Sequence, residues 1–286
     1  MYTALNGHEE AFQMLIQNGA DPSLKTNGGY SLLHFAPEGG NTSIISKLLS
    51  LGLDIDSRSN AGVTPLMTAT RHGKQSVFEM LIQNGADPSL KTNKGFSLLH
   101  LAPEGGNTSI ISKLLSLGLD INSRSNADVT PLMTAARNGK QSAFEMLIQN
   151  GADPSLKDNN GFSLLHFAAQ GGNTFIINKL LPLGLDVDSR TNAGVTPLMT
   201  ATRHGKQNAF EMLIQNGADP SLKDHNESTL LHFAPEGGNT SIINKLLSIG
   251  LDIHRKDVYG LTPLCSAIEK NNSDAVKFLI SKGALE

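Results

Sequence analysis

The sequence predicts an all-α solenoid of stacked helix-turn-helix units, and two observations carry that prediction. Residues 60–92 and 192–224 agree at 30 of 33 positions, and residues 27–59 and 93–125 agree at 29 of 33. A 33-residue period indicates an array of units that bury their apolar faces against one another. Within each period, apolar residues recur at helical spacing, and Gly and Pro mark the ends of two helices.

Adjacent copies are much less alike than alternate ones. Residues 27–59 and 60–92 agree at only 9 of 33 positions, so the duplicated unit is a pair of unlike copies, 66 residues long. We expect one curved array with an incomplete copy at each end, the last one cut at its C-terminus with Leu285–Glu286 left by cloning. The predicted copies are residues 1–26, 27–59, 60–92, 93–125, 126–158, 159–191, 192–224, 225–257 and 258–286.

In one kind of copy, a Thr-Pro pair begins the first helix. Thr64 is a good N-cap, and Pro65 suits the first helical position, where its missing N–H costs nothing. Gly73 is expected to end this short helix. A second helix is predicted over residues 75–84, with apolar residues at helical spacing and a glycine after it.

The other kind of copy is predicted to form the same two helices with different residues. Ser97 replaces Thr as the cap, His100 stands at the third helical position, and Asn107 caps the second helix. Pro103 lies late in the first helix, where it is predicted to shorten or kink that helix. The same proline recurs as Pro37 and Pro235, whereas Ala169 stands there in the remaining copy.

The segment from Gln170 to Leu183 departs most from its sister copies. It contains Phe175, and Pro182 lies near the end of its second helix. Proline removes a backbone donor, so the last turn of that helix should be loosened. We predict a weak joint or a bend in this segment.

The residues of the 60–92 copy resemble the ankyrin repeat, and the resemblance covers essentially the whole chain. The resembling residues are Gly62–Val63–Thr64–Pro65–Leu66, Ala69, Gly73, Leu81–Ile82 and Gly85–Ala86–Asp87. The family's Thr-Pro-Leu-His is divided here between the two kinds of copy. Proline occurs as Pro65, Pro131 and Pro197, and histidine as His34, His100, His166 and His232. The resemblance implies hairpin-like turns and partner binding on a concave side made of turn tips and first helices.

Carried over by position, that side includes a first row of residues near the turns, here named the turn row. Aromatic and branched residues alternate along it, and rigid aromatic side chains are good interface anchors. The alternative is that these residues pack along the row and shield the turns. The turn row is Tyr30, Val63, Phe96, Val129, Phe162, Val195, Ser228 and Leu261.

A second row, here named the charge row, follows the ends of the first helices. Its signs alternate through four copies, and neighbouring helices stack about 8–10 Å apart, so long side chains can pair. One interpretation is a ladder of salt bridges worth about 0–1 kcal/mol each, and the other is a groove for a charged, extended peptide. His72 and His204 lie beside two of the arginines and would add pH sensitivity. The charge row is Glu38, Arg71, Glu104, Arg137, Gln170, Arg203, Glu236 and Glu269.

No metal, cofactor or catalytic site is predicted. The four histidines recur every 66 residues, about 20 Å apart across two copies, whereas zinc ligands must share one ion at about 2 Å. We expect them to bond the turn backbones, and we expect Cys265 to be a small core residue. Catalysis requires a nucleophile, base and orienting group within hydrogen-bond reach, but a repeated surface places identical groups along a line.

The composition restricts the partner and the compartment. The net charge of −3 gives no electrostatic argument for nucleic acid, and no apolar run approaches the length of a membrane span. A single cysteine suits a reducing compartment, so an intracellular, cytoplasmic protein is expected.

Three functions follow from the sequence. The first is a non-catalytic scaffold that binds a protein or peptide, as a monomer, with end-to-end stacking as an alternative. The second is a structural or mechanical spacer in a larger cytoskeletal, channel or membrane-associated protein. The third is a substrate-recruiting region of an enzyme whose catalytic domain lies elsewhere.

Overall fold

The computed structural model describes residues 1–285, and Glu286, half of the expected cloning remnant, lies outside the described residues. Within residues 1–285 the secondary structure is helical, with no β-strand, as predicted. Contacts divide the chain into two units. Unit 1 is Met1–Ala135 with Ser142–Asp153, and unit 2 is Ala136–Gln141 with Pro154–Glu286.

First and second helices alternate along the chain. The first helices are α1 (Tyr2–Leu5), α3 (Leu32–Gly39), α5 (Pro65–Arg71), α7 (Leu98–Gly105), α9 (Pro131–Arg137), α11 (Leu164–Gly171), α13 (Pro197–Arg203), α15 (Leu230–Gly237) and α17 (Pro263–Glu269). The second helices are α2 (Glu9–Gln17), α4 (Thr42–Ser50), α6 (Gln75–Gln83), α8 (Thr108–Ser116), α10 (Gln141–Gln149), α12 (Thr174–Leu180), α14 (Gln207–Gln215), α16 (Thr240–Ser248) and α18 (Ser273–Ser281).

Within each unit, helices contact those of the neighbouring copies. In unit 1, first helices α1, α3, α5 and α7 stack in order, and so do second helices α2, α4, α6 and α8. In unit 2, α11, α13, α15 and α17 form one such stack, and α12, α14, α16 and α18 form the other. Leu33, Leu66 and Leu99 are fully buried between these layers. Within each unit, the stacked copies therefore complete their cores with their neighbours, as a helix-turn-helix solenoid requires.

The Thr-Pro pair begins its helix as predicted. Thr64 Oγ1 accepts a hydrogen bond from the Met67 N–H at 3.3 Å, and Pro65 is the first helical residue. Gly73 follows the helix with a φ of 64°, in the left-handed region that favours glycine. Cys265, at the position of Met67 in another copy, is half-buried rather than fully in the core, and its thiol accepts the Thr262 hydroxyl at 3.3 Å.

The late proline does not shorten its helix, so the predicted shortening is wrong, and the kink offered as its alternative stays a prediction. Helices α3, α7 and α15 contain that proline and each span eight residues, the same length as α11, which has alanine. Proline lacks one N–H, so one helical bond is lost, and few helical residues follow it. Its own carbonyl then accepts the closing bond, as when the Gly40 N–H donates to Pro37 O at 3.1 Å.

Asparagine caps the second helices α4, α8, α12, α16 and α18 and also joins the copies. Asn41 Oδ1 accepts the Ile44 N–H at 2.9 Å, and Asn107 Oδ1 accepts the Ser109 N–H at 2.9 Å, as predicted. The same Asn107 side chain donates from Nδ2 to Gly73 O of the preceding copy at 3.3 Å. One residue therefore fixes both the start of a helix and its position against the neighbouring copy.

The turns are hairpin-like and are bonded to one another. The Ser59 N–H donates to Val63 O at 2.9 Å, which closes one turn. Asn60 Nδ2 donates to Asn27 O at 2.9 Å in the preceding turn. A Cβ on Gly29, where φ is 77°, would lie 2.5 Å from Asn60 Oδ1, so the close approach requires glycine. The asparagine bond recurs from Asn93 to Asn60, from Asn126 to Asn93 and from Asn192 to Asn159.

The second helix before Pro182 ends early, in line with the predicted loosening of its last turn. Helix α12 ends at Leu180, and Leu181–Leu183 forms a 3-10 helix, whereas its sister α16 continues for nine residues. The α-helical bond that closes α16, from Ile249 N–H to Lys245 O, has no counterpart at Leu183 among the described residues. The bond from Gly184 N–H to Leu181 O, in contrast, is shared with the sister copy, where Gly250 N–H bonds Leu247 O.

We expect amides 183–185 to exchange with solvent about tenfold faster than amides 249–251, because the α-helical bond that protects the Ile249 N–H has no counterpart at Leu183. Native-state hydrogen exchange measures this difference. Pro182→Ser, which introduces the residue present at position 248, should bring the two rates together. Uniform protection across residues 170–185 in the unmodified protein would contradict the prediction of a weak joint.

Candidate functional site

Each buried histidine joins its own helix start to the next copy. His100 Nδ1 accepts the Ser97 N–H at 3.1 Å, and the Ser97 hydroxyl lies 2.8 Å from the same nitrogen. On the other side of the ring, Nε2 lies 2.8 Å from Val129 O. A carbonyl only accepts, so Nε2 carries a proton. Nδ1 accepts the Ser97 N–H and therefore carries none, so the ring is neutral. The same arrangement recurs in Ser31, His34 and Val63, in Ser163, His166 and Val195, and in Thr229, His232 and Leu261.

Burial disfavours the protonated form of three of these rings. It lowers the pKa of His100 and the pKa of His166 to about 4 each, although the bond to the neighbouring carbonyl opposes the shift. Burial also lowers the pKa of His34. Both ring nitrogens bond to protein atoms, so the structural role predicted for these histidines is confirmed.

The turn row separates into buried and half-buried members. The aromatic members keep part of their surface, and each stacks edge-on against a histidine, as Phe162 does at 5.2 Å between ring centroids from His166. The aromatic rings of the row are therefore accessible to a partner, whereas its valines and Ser228 are buried in the turns. The half-buried rings are Tyr30, Phe96 and Phe162, and the buried members, at most 8% exposed, are Val63, Val129, Val195 and Ser228.

The charge row forms ion pairs between consecutive copies. Arg71 Nε lies 3.1 Å from Glu104 Oε2, and Arg203 Nε lies 3.7 Å from Glu236 Oε2. Lys270 Nζ also lies 3.3 Å from Glu236 Oε2. All these side chains are about a third or more exposed, so each pair contributes only about 0–1 kcal/mol. Part of the predicted ladder is therefore present, and its side chains are partly open to water.

The histidines beside the arginines lie at the same surface. His72 Nε2 is 3.9 Å from Glu38 Oε1. Burial and the neighbouring Arg203 guanidinium lower the pKa of His204, against the opposing effect of Glu236. Neutral His204 therefore adds little charge to this part of the row near pH 7.

One member of the charge row differs from its sisters. Arg137, at the end of α9, has no ion pair with any residue in 1–285, and its guanidinium lies 5.8 Å from the centroid of the Phe167 ring. Gln170 occupies the position that Glu104 and Glu236 hold relative to their arginines. Arg203, in contrast, combines its ion pair with a position 4.5 Å over the Phe233 ring.

In unit 1, a cavity brings the two rows together. It has a volume of about 290 Å³ and is open to solvent. The turn row contributes an aromatic ring and the charge row contributes both signs of charge. The lining residues are Tyr30, His34, Phe35, Glu38, Val63, Thr68, Arg71 and His72.

A comparison with protein families identifies the fold. A family model described as ankyrin repeats, in three copies, matches residues 1–92, 86–158, 132–224 and 213–285. The chain belongs to the ankyrin-repeat family. Ankyrin repeats are generally protein–protein interaction modules and are typically non-catalytic. No curated protein matches this chain.

Two further observations concern the ankyrin array. None of the helices in residues 1–285 has the length and apolar character needed to cross a membrane. Phe167 and Phe233, which lie under arginines, were not singled out from the sequence. The sequence does contain a signal for them, because each phenylalanine directly follows a buried histidine. Leu101 stands at the same position after His100, and the corresponding arginine, Arg71, has no ring beneath it in the described part of the chain.

Proposed function

We propose that this ankyrin-repeat protein is a non-catalytic scaffold that binds a protein or peptide segment on the surface made by its turns and first helices. The observation that carries the proposal is the cavity between the two rows in unit 1, where Tyr30 and Arg71 face the same open space. Such a site offers a rigid aromatic anchor beside groups that orient a polar chain. An intracellular location, expected from the single cysteine, is part of this proposal.

The energetics of the surface support binding. The exposed ion pairs of the charge row are individually weak, so a partner can replace them at small cost. The aromatic rings are already held against histidines, so little side-chain entropy is lost when a partner covers them. Because the 66-residue unit recurs, similar contacts are offered more than once, and a long or repetitive partner would gain avidity from linked sites.

The test is a charge reversal on this surface. We expect Arg71/Arg137/Arg203→Glu to lose partners that the unmodified protein captures from a cell extract, because the reversal replaces the cationic members of the charge row with carboxylates. Protein identification by mass spectrometry compares the captured sets, and circular dichroism verifies folding.

The matched control makes the same change in net charge on another surface. Lys47, Lys113 and Lys245 are exposed in the last turns of second helices, so Lys47/Lys113/Lys245→Glu should retain the partners. If both variants capture the partners equally, binding lies on another surface. If neither the unmodified protein nor the variants capture a partner, a structural spacer is favoured.

A further inference from the structure

The charge row of unit 2 contains an arginine whose partner position is held by a neutral residue. Arg137 and Gln170 are 33 residues apart, the same separation as Arg71 and Glu104, and as Arg203 and Glu236. Those two sister pairs close at 3.1 and 3.7 Å. Arg137 has no ion pair among residues 1–285.

The surroundings of Arg137 hold its guanidinium in place. Its carbonyl lies against Gly171, so the end of α9 meets the end of α11, next to Gln170. The guanidinium lies over the face of Phe167, 5.8 Å from the ring centroid, which orients the cation while leaving its N–H groups available. Phe167 itself is only 4% exposed and is therefore a fixed platform.

The sister pairs show which ligand this site would accept. In both, a glutamate carboxylate reaches the arginine from the end of the next first helix. At Arg137 that carboxylate is absent, because Gln170 carries an amide, and the amide can itself donate a hydrogen bond to an arriving carboxylate. An arginine fork, with an amide donor on the next helix end, would match the two oxygens of a carboxylate.

We propose that Arg137, supported by Phe167 and Gln170, is the docking point for an Asp or Glu side chain of the partner segment. This inference rests on the proposed function and names the chemistry of its partner. The segment carries an isolated acidic residue rather than a polyanion, since the chain itself has a net charge of −3 and would repel further negative charge.

A random-peptide display selection tests the inference. The unmodified protein is expected to select peptides enriched in Asp or Glu at one position, and Gln170→Glu is expected to lose these peptides. This variant gives Arg137 the intramolecular partner that its sisters have, and it introduces the residue those copies already contain, so it should fold normally. Gln215→Glu makes the same chemical change at the exposed end of α14 and should retain the peptides.

A double-mutant cycle with one selected peptide then locates the contact. Replacing the peptide's acidic residue by its amide should weaken binding to the unmodified protein about fivefold to tenfold. The same replacement should change binding to Arg137→Gln by less than about twofold.

The outcomes separate the two proposals. Peptides that lack an acidic preference, or that bind Gln170→Glu as well as the unmodified protein, would overturn this inference and leave the scaffold proposal intact. If replacing the peptide's acidic residue weakens binding equally for the unmodified protein and for Arg137→Gln, the inference is also overturned. Failure to select any peptide would count against both proposals.

Discussion

Acidification from pH 7.5 to about 4 is expected to remove about 3 kcal/mol of unfolding free energy for each of His100 and His166. The folded-state pKa of each ring is about 4, below the ordinary value of 6.5, because burial disfavours the imidazolium. The unfolded chain therefore binds protons first. Stability from these groups is fully present above pH 6.5, declines as the pH falls towards 4, and changes no further below that.

Urea unfolding at a series of pH values measures this loss, and methionine supplies the matched variants. Met67 and Met199 stand at the equivalent position in the other kind of copy. His100→Met should be less stable at pH 7.5 by about 1–3 kcal/mol, because Val129 O loses its donor. The variant should also lose about 3 kcal/mol less than the unmodified protein on acidification.

Other groups that titrate in this range do not obscure the comparison. Burial raises the pKa of Asp56 and of Asp188, so their contribution has the opposite sign and favours the folded state as the pH falls. These carboxyl groups are present in both proteins and cancel in the difference. An unchanged pH dependence in His100→Met would contradict the assignment to His100.

The local structure could be predicted from the sequence because its signals act over a few residues. Thr64 and Asn107 are caps whose acceptors meet N–H groups two or three residues away. Pro103 was misjudged because a proline rule derived from helix interiors was applied to a helix whose closing bond comes from the proline's own carbonyl.

The surface was less predictable because its contacts join different copies. Arg71 has acidic charge-row neighbours at the same separation on both sides, Glu38 and Glu104, and the sequence could not show that it pairs with Glu104. The burial of Val129 likewise depends on the neighbouring copy, whose His100 bonds to its carbonyl. The aromatic members of the turn row stay half-buried at the positions where valine is buried in the other copies.

Gly105→Ala is expected to destabilise the protein by about 3 kcal/mol, although alanine normally favours a helix. Gly105 ends α7 with an ordinary helical backbone, so alanine would stabilise an isolated helix there by about 0.5–1 kcal/mol. In the folded protein, however, the new Cβ would lie 2.5 Å from Gly73 N and 2.7 Å from Thr70 O of the preceding copy. These are backbone atoms of a packed helix end, so the two copies must move apart.

The adjacent glycine gives the control for this effect. Gly106 has a φ of 68° and open space where a Cβ would be, so Gly106→Ala should cost only the left-handed strain of about 1–2 kcal/mol. Urea unfolding of both variants compares backbone strain with a contact between copies. If the stacking of first helices depends on Gly105, Gly105→Ala should lose more unfolding free energy than Gly106→Ala. An increase in the unfolding free energy of Gly105→Ala would mean that the copies are not in close contact there.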